Sequence, residues 1–266
     1  MSAVQAPSES ESLPWGGEVR KLVIGNWKMN GSRSELSAFA RALADVRLGC
    51  DAALCVPYTL LGTAQMALSG TDLRWGAQDC SEELAGARTG DVSASMISEF
   101  HASYVIVGHA DRRRLHGETD GQVALKVKRV LAAGMTPVVC IGESSAERDA
   151  NQTRMVLKRQ LVQVMRALAY DLRPTVIAYE PLWAIGSGEM AAPGLIEDTL
   201  GAIAEIIDFS ARHTAHGVRM LYGGSLSPRS AATLLGRRYL GGALVGGASL
   251  RADDFLSICR SAATCL

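Results

Sequence analysis

Neither sign of charge prevails in the 266-residue sequence, where 27 Lys and Arg balance 27 Asp and Glu. Nucleic acid and anionic membranes both call for a basic excess gathered on one surface, so neither is indicated as a partner. Any anion that binds has to be captured locally. The six cysteines, Cys50, Cys55, Cys80, Cys140, Cys259 and Cys265, form no C-x-x-C pair and no zinc-like spacing with the five histidines. They read as reduced core thiols. No apolar stretch is long enough to span a bilayer, and residues 1–20 have neither the basic nor the apolar region of a signal peptide. That segment is expected to be a disordered tail on a cytoplasmic protein. The sequon Asn151-Gln152-Thr153 means nothing without secretion. No Pro- or Ser-rich linker interrupts residues 21–266, which are expected to form one domain.

What that stretch does contain is alternation. Short apolar runs recur at Leu22–Gly25, Ala53–Val56, Leu73–Ala77, Tyr104–Val107, Pro137–Ile141, Val176–Tyr179, Arg219–Tyr222 and Ala243–Val245. Near-continuous apolar runs indicate parallel strands covered on both faces. Between and after them, helical spacing is read over Glu35–Ala44, Leu60–Leu68, Ala94–Phe100, Gln122–Ala133, Thr153–Tyr170, Ile196–His213, Pro228–Leu235 and Asp253–Cys265. In the fifth of these, Leu157, Leu161, Val164 and Leu168 share one stripe while Lys158, Arg159 and Arg166 face away. The fourth stops at Gly134, which can take the left-handed conformation that closes a helix. Eight βα units in this length favour a closed single-domain (β/α)8 barrel over an open doubly wound sheet.

Function in such a barrel sits in the loops after the strands. The first carries Asn26-Trp27-Lys28, where Lys28 is either a partly dry cation for an anionic ligand or a surface lysine beside a turn. The fourth carries Gly108-His109-Ala110-Asp111, with His109 able to polarise a carbonyl or to serve as a structural histidine. His109, Asp111 and His116 have no recurrent metal-ligand spacing, and no metal is expected. The sixth carries Glu180-Pro181-Leu182-Trp183 and then Gly186-Ser187-Gly188. A carboxylate covered by apolar residues could be a base, with the adjoining glycines in a mobile lid, or it could be salt-bridged to a neighbouring helix. Gly223-Gly224-Ser225 and Gly246-Gly247 come after strands seven and eight, where barrels commonly hold phosphate through backbone N–H groups. A base, an imidazole, a cation and a phosphate cradle around one mouth suit proton abstraction beside a carbonyl, without metal or redox cofactor.

These motifs, together with Cys140-Ile141-Gly142-Glu143, resemble the triosephosphate isomerase family in register from about Lys21 to the C-terminus. The resemblance implies a TIM barrel and a cofactor-independent aldose–ketose isomerase of glycolysis and gluconeogenesis. It would interconvert dihydroxyacetone phosphate and D-glyceraldehyde 3-phosphate through an enediolate. It further implies Glu180 as the proton shuttle, His109 as the group hydrogen-bonded to the substrate oxygens, and Lys28 with Asn26 as stabilisers of negative charge. Gly186, Ser225, Gly246 and Gly247 would cradle the phosphate, and Thr89 would reach into the partner chain of a homodimer beside Asn26 and Lys28. The family usually has Ser and Glu where this chain has Ala110 and Asp111, Glu at Asp91, and Lys-Thr at Glu189-Met190. The shorter acid at 111 is expected either to hold Lys28 less firmly or to draw its loop inward. Two alternatives remain: an isomerase of a longer sugar phosphate, such as a tetrose phosphate, or a phosphate-binding barrel without catalysis. Retention of Glu180 argues against the second, because a pure anion binder gains nothing from a carboxylate there.

Overall fold

The computed structural model describes residues 20–184, 190–211 and 217–265. The expected tail, apart from Arg20, lies outside the described residues, as do the end of the sixth helical segment and the Gly186 loop. In chain order the elements are β1 (Leu22–Asn26), α1 (Arg33–Leu43), β2 (Asp51–Val56), α2 (Leu61–Leu68), β3 (Leu73–Ala77), α3 (Ala94–Ser98) and β4 (Tyr104–Val107). Next come α4 (Ala110–His116), α5 (Asp120–Ala132), β5 (Thr136–Ile141), α6 (Ser145–Asp149), α7 (Thr153–Ala167) and β6 (Val176–Tyr179). The chain continues with α8 (Pro193–Ala211), β7 (Arg219–Gly223), α9 (Pro228–Leu234), β8 (Gly242–Val245) and α10 (Ala252–Ala263). All eight strands form where the apolar runs lie. Each pairs in parallel with its sequence neighbour, and β8 returns to β1 with Leu22 opposite Gly242, which closes the barrel.

Side chains alternate across a strand, and in a closed barrel one set points inward and the other meets the helices. The contacts divide accordingly. Leu22, Ile24, Ala53, Cys55, Ile106, Val138, Cys140, Val176, Ala178, Leu221 and Leu244 pack on one another inside the barrel. Their neighbours in sequence, such as Val23, Leu54, Val139, Ile177 and Val245, belong to a second, larger cluster with the helix residues Phe39, Val127, Leu161, Ile203 and Phe255. Every strand therefore needs apolar residues on both faces, which is why the runs look continuous in the sequence.

Two short helices, α4 and α6, depart from the expected pattern. Each is too short for a 3.6-residue period to show. The start of α6 is nevertheless written in the sequence, since Ser144 and Glu147 form a reciprocal capping box. The start of α4 is not, because its cap is His109 and its body the basic run Arg112-Arg113-Arg114. The stripe on α7 is buried at Leu157, Leu161 and Val164, but the helix ends at Ala167 and not at Tyr170. Ala169 and Tyr170 both take positive φ, 51° and 66°, which turns the chain out of the helix. Gly134 closes α5 as expected, with φ 76° and the Met135 N–H donating to the Val130 carbonyl at 3.1 Å.

Candidate active site

Continuing the inward parity of the strands by one step reaches the chemistry. Leu22 and Ile24 lead to Asn26, Val176 and Ala178 to Glu180, Val138 to Cys140, and Leu221 to Gly223. A cleft of about 560 Å³ opens above them, lined by Asn26, Lys28, His109, Glu180, Gly223, Gly224, Ser225, Gly246 and Gly247 among others.

The first loop is held in an uncommon conformation. Lys28 has φ 53°, a left-handed value that costs a non-glycine residue about 1–2 kcal/mol. Several contacts hold it there. The Lys28 N–H donates to Asn26 Oδ1 at 3.0 Å, and Asn30 Nδ2 donates to the Trp27 carbonyl at 2.8 Å. The buried Trp27 indole donates to the Ser249 carbonyl at 3.0 Å and meets Phe39 edge-on, with centroids 5.6 Å apart. Lys28 is thereby aimed across the mouth, and its Nζ lies 2.9 Å from Asp111 Oδ2. The shorter acid thus still reaches Lys28. Burial works to raise the Asp111 pKa, but the hydrogen bond and charge of Lys28, with the charge of Arg114, outweigh it and hold Asp111 below the usual carboxylate range.

His109 caps α4 with its ring: Nδ1 accepts the Asp111 N–H at 3.0 Å. That bond leaves the proton of a neutral imidazole on Nε2, which lies 3.1 Å from Glu180 Oε1. Glu180 is 3% exposed, and its other oxygen accepts the Ala110 N–H at 2.9 Å, at the positive end of α4. Position 110 is alanine in this chain, and its backbone N–H is the group that serves the carboxylate. The Cys140 thiol lies beside Glu180. Burial, then the Glu180 charge, pushes that thiol well above its usual range, so it stays neutral. In the sequence Cys140 reads only as a core thiol; its inward parity two residues after Val138 is the one signal of this contact.

Both flanks of the undescribed 185–189 segment are anchored. On the near side Leu182 N–H donates to the Glu143 carbonyl at 3.0 Å, and Trp183 Nε1 to the Glu143 side chain at 2.9 Å. Glu143 is fully buried and also accepts from the Tyr179 hydroxyl at 3.1 Å. Burial and the Glu143 charge push that hydroxyl up, so it remains a donor. The Arg148 guanidinium stacks 4.3 Å over the Trp183 ring. On the far side Ala191 N–H donates to the buried Tyr222 hydroxyl at 3.2 Å, while Ser225 Oγ reaches back to the Ala184 carbonyl at 3.2 Å. Sequence reasoning gives no sign of this role for Glu143, Arg148 or Tyr222, because the partners are brought together only by the barrel.

Of the residues expected at the site, Asn26, Lys28, His109, Glu180, Ser225, Gly246 and Gly247 line one cleft, with Ala110 and Asp111 behind it. Thr89, expected to reach into a partner chain, stands in an exposed loop braced by Ser81 Oγ donating to Asp91 Oδ2 at 2.6 Å. Gly186 lies outside the described residues. Among the described residues, no group of three or more His, Cys, Asp or Glu could hold a metal ion.

Comparison with known proteins sets this geometry beside named relatives. The family model for triosephosphate isomerase matches residues 21–262. The triosephosphate isomerases of Dechloromonas aromatica and Thiobacillus denitrificans are each 47% identical over 246 residues, covering 91% and 92% of this chain and 99% of each relative. The crystal structure of triosephosphate isomerase from Bartonella henselae superposes with a TM-score of 0.83 at 37% identity, covering 91% of this chain and 99% of that one.

Proposed function

The chain belongs to the triosephosphate isomerase family, and from that membership we infer that it interconverts dihydroxyacetone phosphate and D-glyceraldehyde 3-phosphate, a step of glycolysis. The names of its relatives favour the triose over a tetrose phosphate. The observation that carries the mechanism is the meeting of Glu180, His109 Nε2 and Lys28 at one barrel mouth.

Glu180 removes a proton from the carbon beside the carbonyl and returns it to the neighbouring carbon. His109 Nε2–H donates to the carbonyl oxygen, which takes up a proton and becomes the new hydroxyl, the adjacent hydroxyl gives up its proton and becomes the new carbonyl, and the Lys28 ammonium with Asn26 stabilises the enediolate between. In the described geometry Oε1 of Glu180 already faces that imidazole donor, so the substrate oxygens take its place when they bind. Backbone N–H groups of Ser225, Gly246, Gly247 and Gly186 hold the phosphate, away from the carboxylate that would repel it. No step in this scheme draws on a cofactor.

We read the protein as a homodimer. A groove of about 1030 Å³ runs beside Asn26 and Lys28, flanked by Met29 and Leu115, whose apolar side chains are 96% and 65% exposed. The Thr89 loop is exposed, Leu84 included, and is the segment we assign to such a groove on a second chain. The six free cysteines support a reducing, cytoplasmic setting.

Glu180→Asp tests the central assignment. Withdrawing the carboxylate by one methylene misplaces it by about 1 Å, which lowers kcat on the order of a hundredfold while KM moves little. A coupled assay with the two triose phosphates reads it, and unchanged turnover would remove Glu180 from the role of base.

A further inference from the structure

We propose that Gly223 is a positioning residue for Glu180: the volume left by its missing side chain is the berth in which the carboxylate rests. The inference rests on reading Glu180 as the base. Gly223 ends β7 on the inward face, opposite Leu244 of β8 and next to β6, from which Glu180 emerges. Its φ is not among the positive values, so the backbone there suits any residue and does not itself demand glycine.

What excludes a side chain is Glu180 alone. A Cβ added to Gly223 would lie 2.8 Å from Glu180 Cγ, 3.3 Å from Oε1 and 3.5 Å from Cδ, and these are its three nearest atoms. Other crowded glycines of the site differ. A Cβ at Gly142 would strike the Glu180 backbone carbonyl at 1.8 Å, and one at Gly224 the ring hydroxyl of Tyr222 at 2.3 Å. Those are constraints on the framework, whereas the constraint at 223 comes from one movable side chain.

Contact distances set the consequence. Carbon atoms pack at about 3.5–4.0 Å, so a methyl group at 223 drives Cγ of Glu180 away by roughly 1 Å. Because Cγ is the near end of the side chain, the whole carboxylate moves with it. It then leaves the Ala110 N–H, the Cys140 thiol and the position opposite His109 Nε2. Glycine at 223 thus lets a base of full glutamate length lie flat against β7 while staying within reach of the cleft.

A double-mutant cycle of Gly223→Ala with Glu180→Ala tests this, because the second substitution removes every atom that the new methyl group would strike. Gly223→Ala is expected to lower kcat by tenfold to about a hundredfold. KM, and competitive inhibition by inorganic phosphate, should stay within about twofold, because the phosphate cradle is not displaced. It should lower Tm by about 3–10 °C in the parent and leave Tm unchanged in the Glu180→Ala background. If Gly223→Ala alone does not fold, the double variant still should. An equal loss of Tm in both backgrounds, a double variant that does not fold, or Gly223→Ala with parental kcat overturns the proposal. Failure of the base assignment is separable: Glu180→Ala would then keep its turnover, whatever the cycle reports.

Discussion

Asp111 reaches Lys28 at 2.9 Å although it is one methylene shorter than the usual acid at that position. Lys28 is therefore held without the longer side chain, and the contact carries a pH signature. The Asp111 pKa is depressed in the folded chain, below an unfolded value of about 3.9. Its contribution is fully present above that unfolded value and is lost as pH falls through the folded one. Asp111→Asn should accordingly lower Tm at pH 7 by a few degrees, in keeping with a partly exposed pair worth up to about 1 kcal/mol. The gap between parent and variant should close below about pH 4. Thermal melts from pH 3 to 7 measure it, and a gap that persists undiminished at pH 3 would contradict the linkage. At this scale the sequence is legible where a residue type announces chemistry: Asn26, Lys28, His109 and Glu180 each lie at or just past a strand end and share one cleft. The tie of Cys140 and Gly223 to the base is not legible, because a thiol reads as core and a glycine as a turn until the barrel sets them against Glu180.

Among the elements, the eight strands are legible because each must be apolar on both faces, and the longer helices because one stripe must meet those strands. The ends are legible only where local chemistry dictates them. Gly134 closes α5 at φ 76°, and a Cβ there would meet nothing within 4 Å, so the penalty for adding one is purely conformational. Gly134→Ala should destabilise the protein by about 1–2 kcal/mol without altering kcat or KM. Urea denaturation beside steady-state kinetics separates the two effects, and a loss of activity in the folded variant would show that this turn is coupled to the mouth. The end of α7 gives no such warning: Ala169 and Tyr170 adopt left-handed values that their residue types do not advertise. The cap of α4 is hidden for a different reason. Its ring serves the helix through Nδ1 and faces Glu180 through Nε2, so a histidine recognised for one task conceals the other.

For the whole molecule, among the described residues the exposed Thr89 loop and the groove beside Lys28 and Met29 are features that a single chain leaves unfilled. Sedimentation at micromolar concentration should give the mass of two chains. Deletion of residues 87–90 should yield a monomer of much reduced activity, because Lys28 and Asn26 would lose the cover that we propose a second chain supplies. A fully active monomer would refute the dimer-completed site. The closed barrel with its odd and even contact sets has a further consequence, for insertions and deletions. Adding one residue within β6 would reverse the facing of everything after it. Tyr179 would then enter the lumen, and the carboxylate of Glu180 would point into the helix layer, with no side chain having been changed. Adding two would restore the facing but lift the carboxylate by two rises of about 3.3 Å each, past the Ala110 N–H that receives it. Changes of length inside the strands are thus closed to this chain in a way that changes of residue are not, which leaves the loops at the barrel ends as the places where its length can vary.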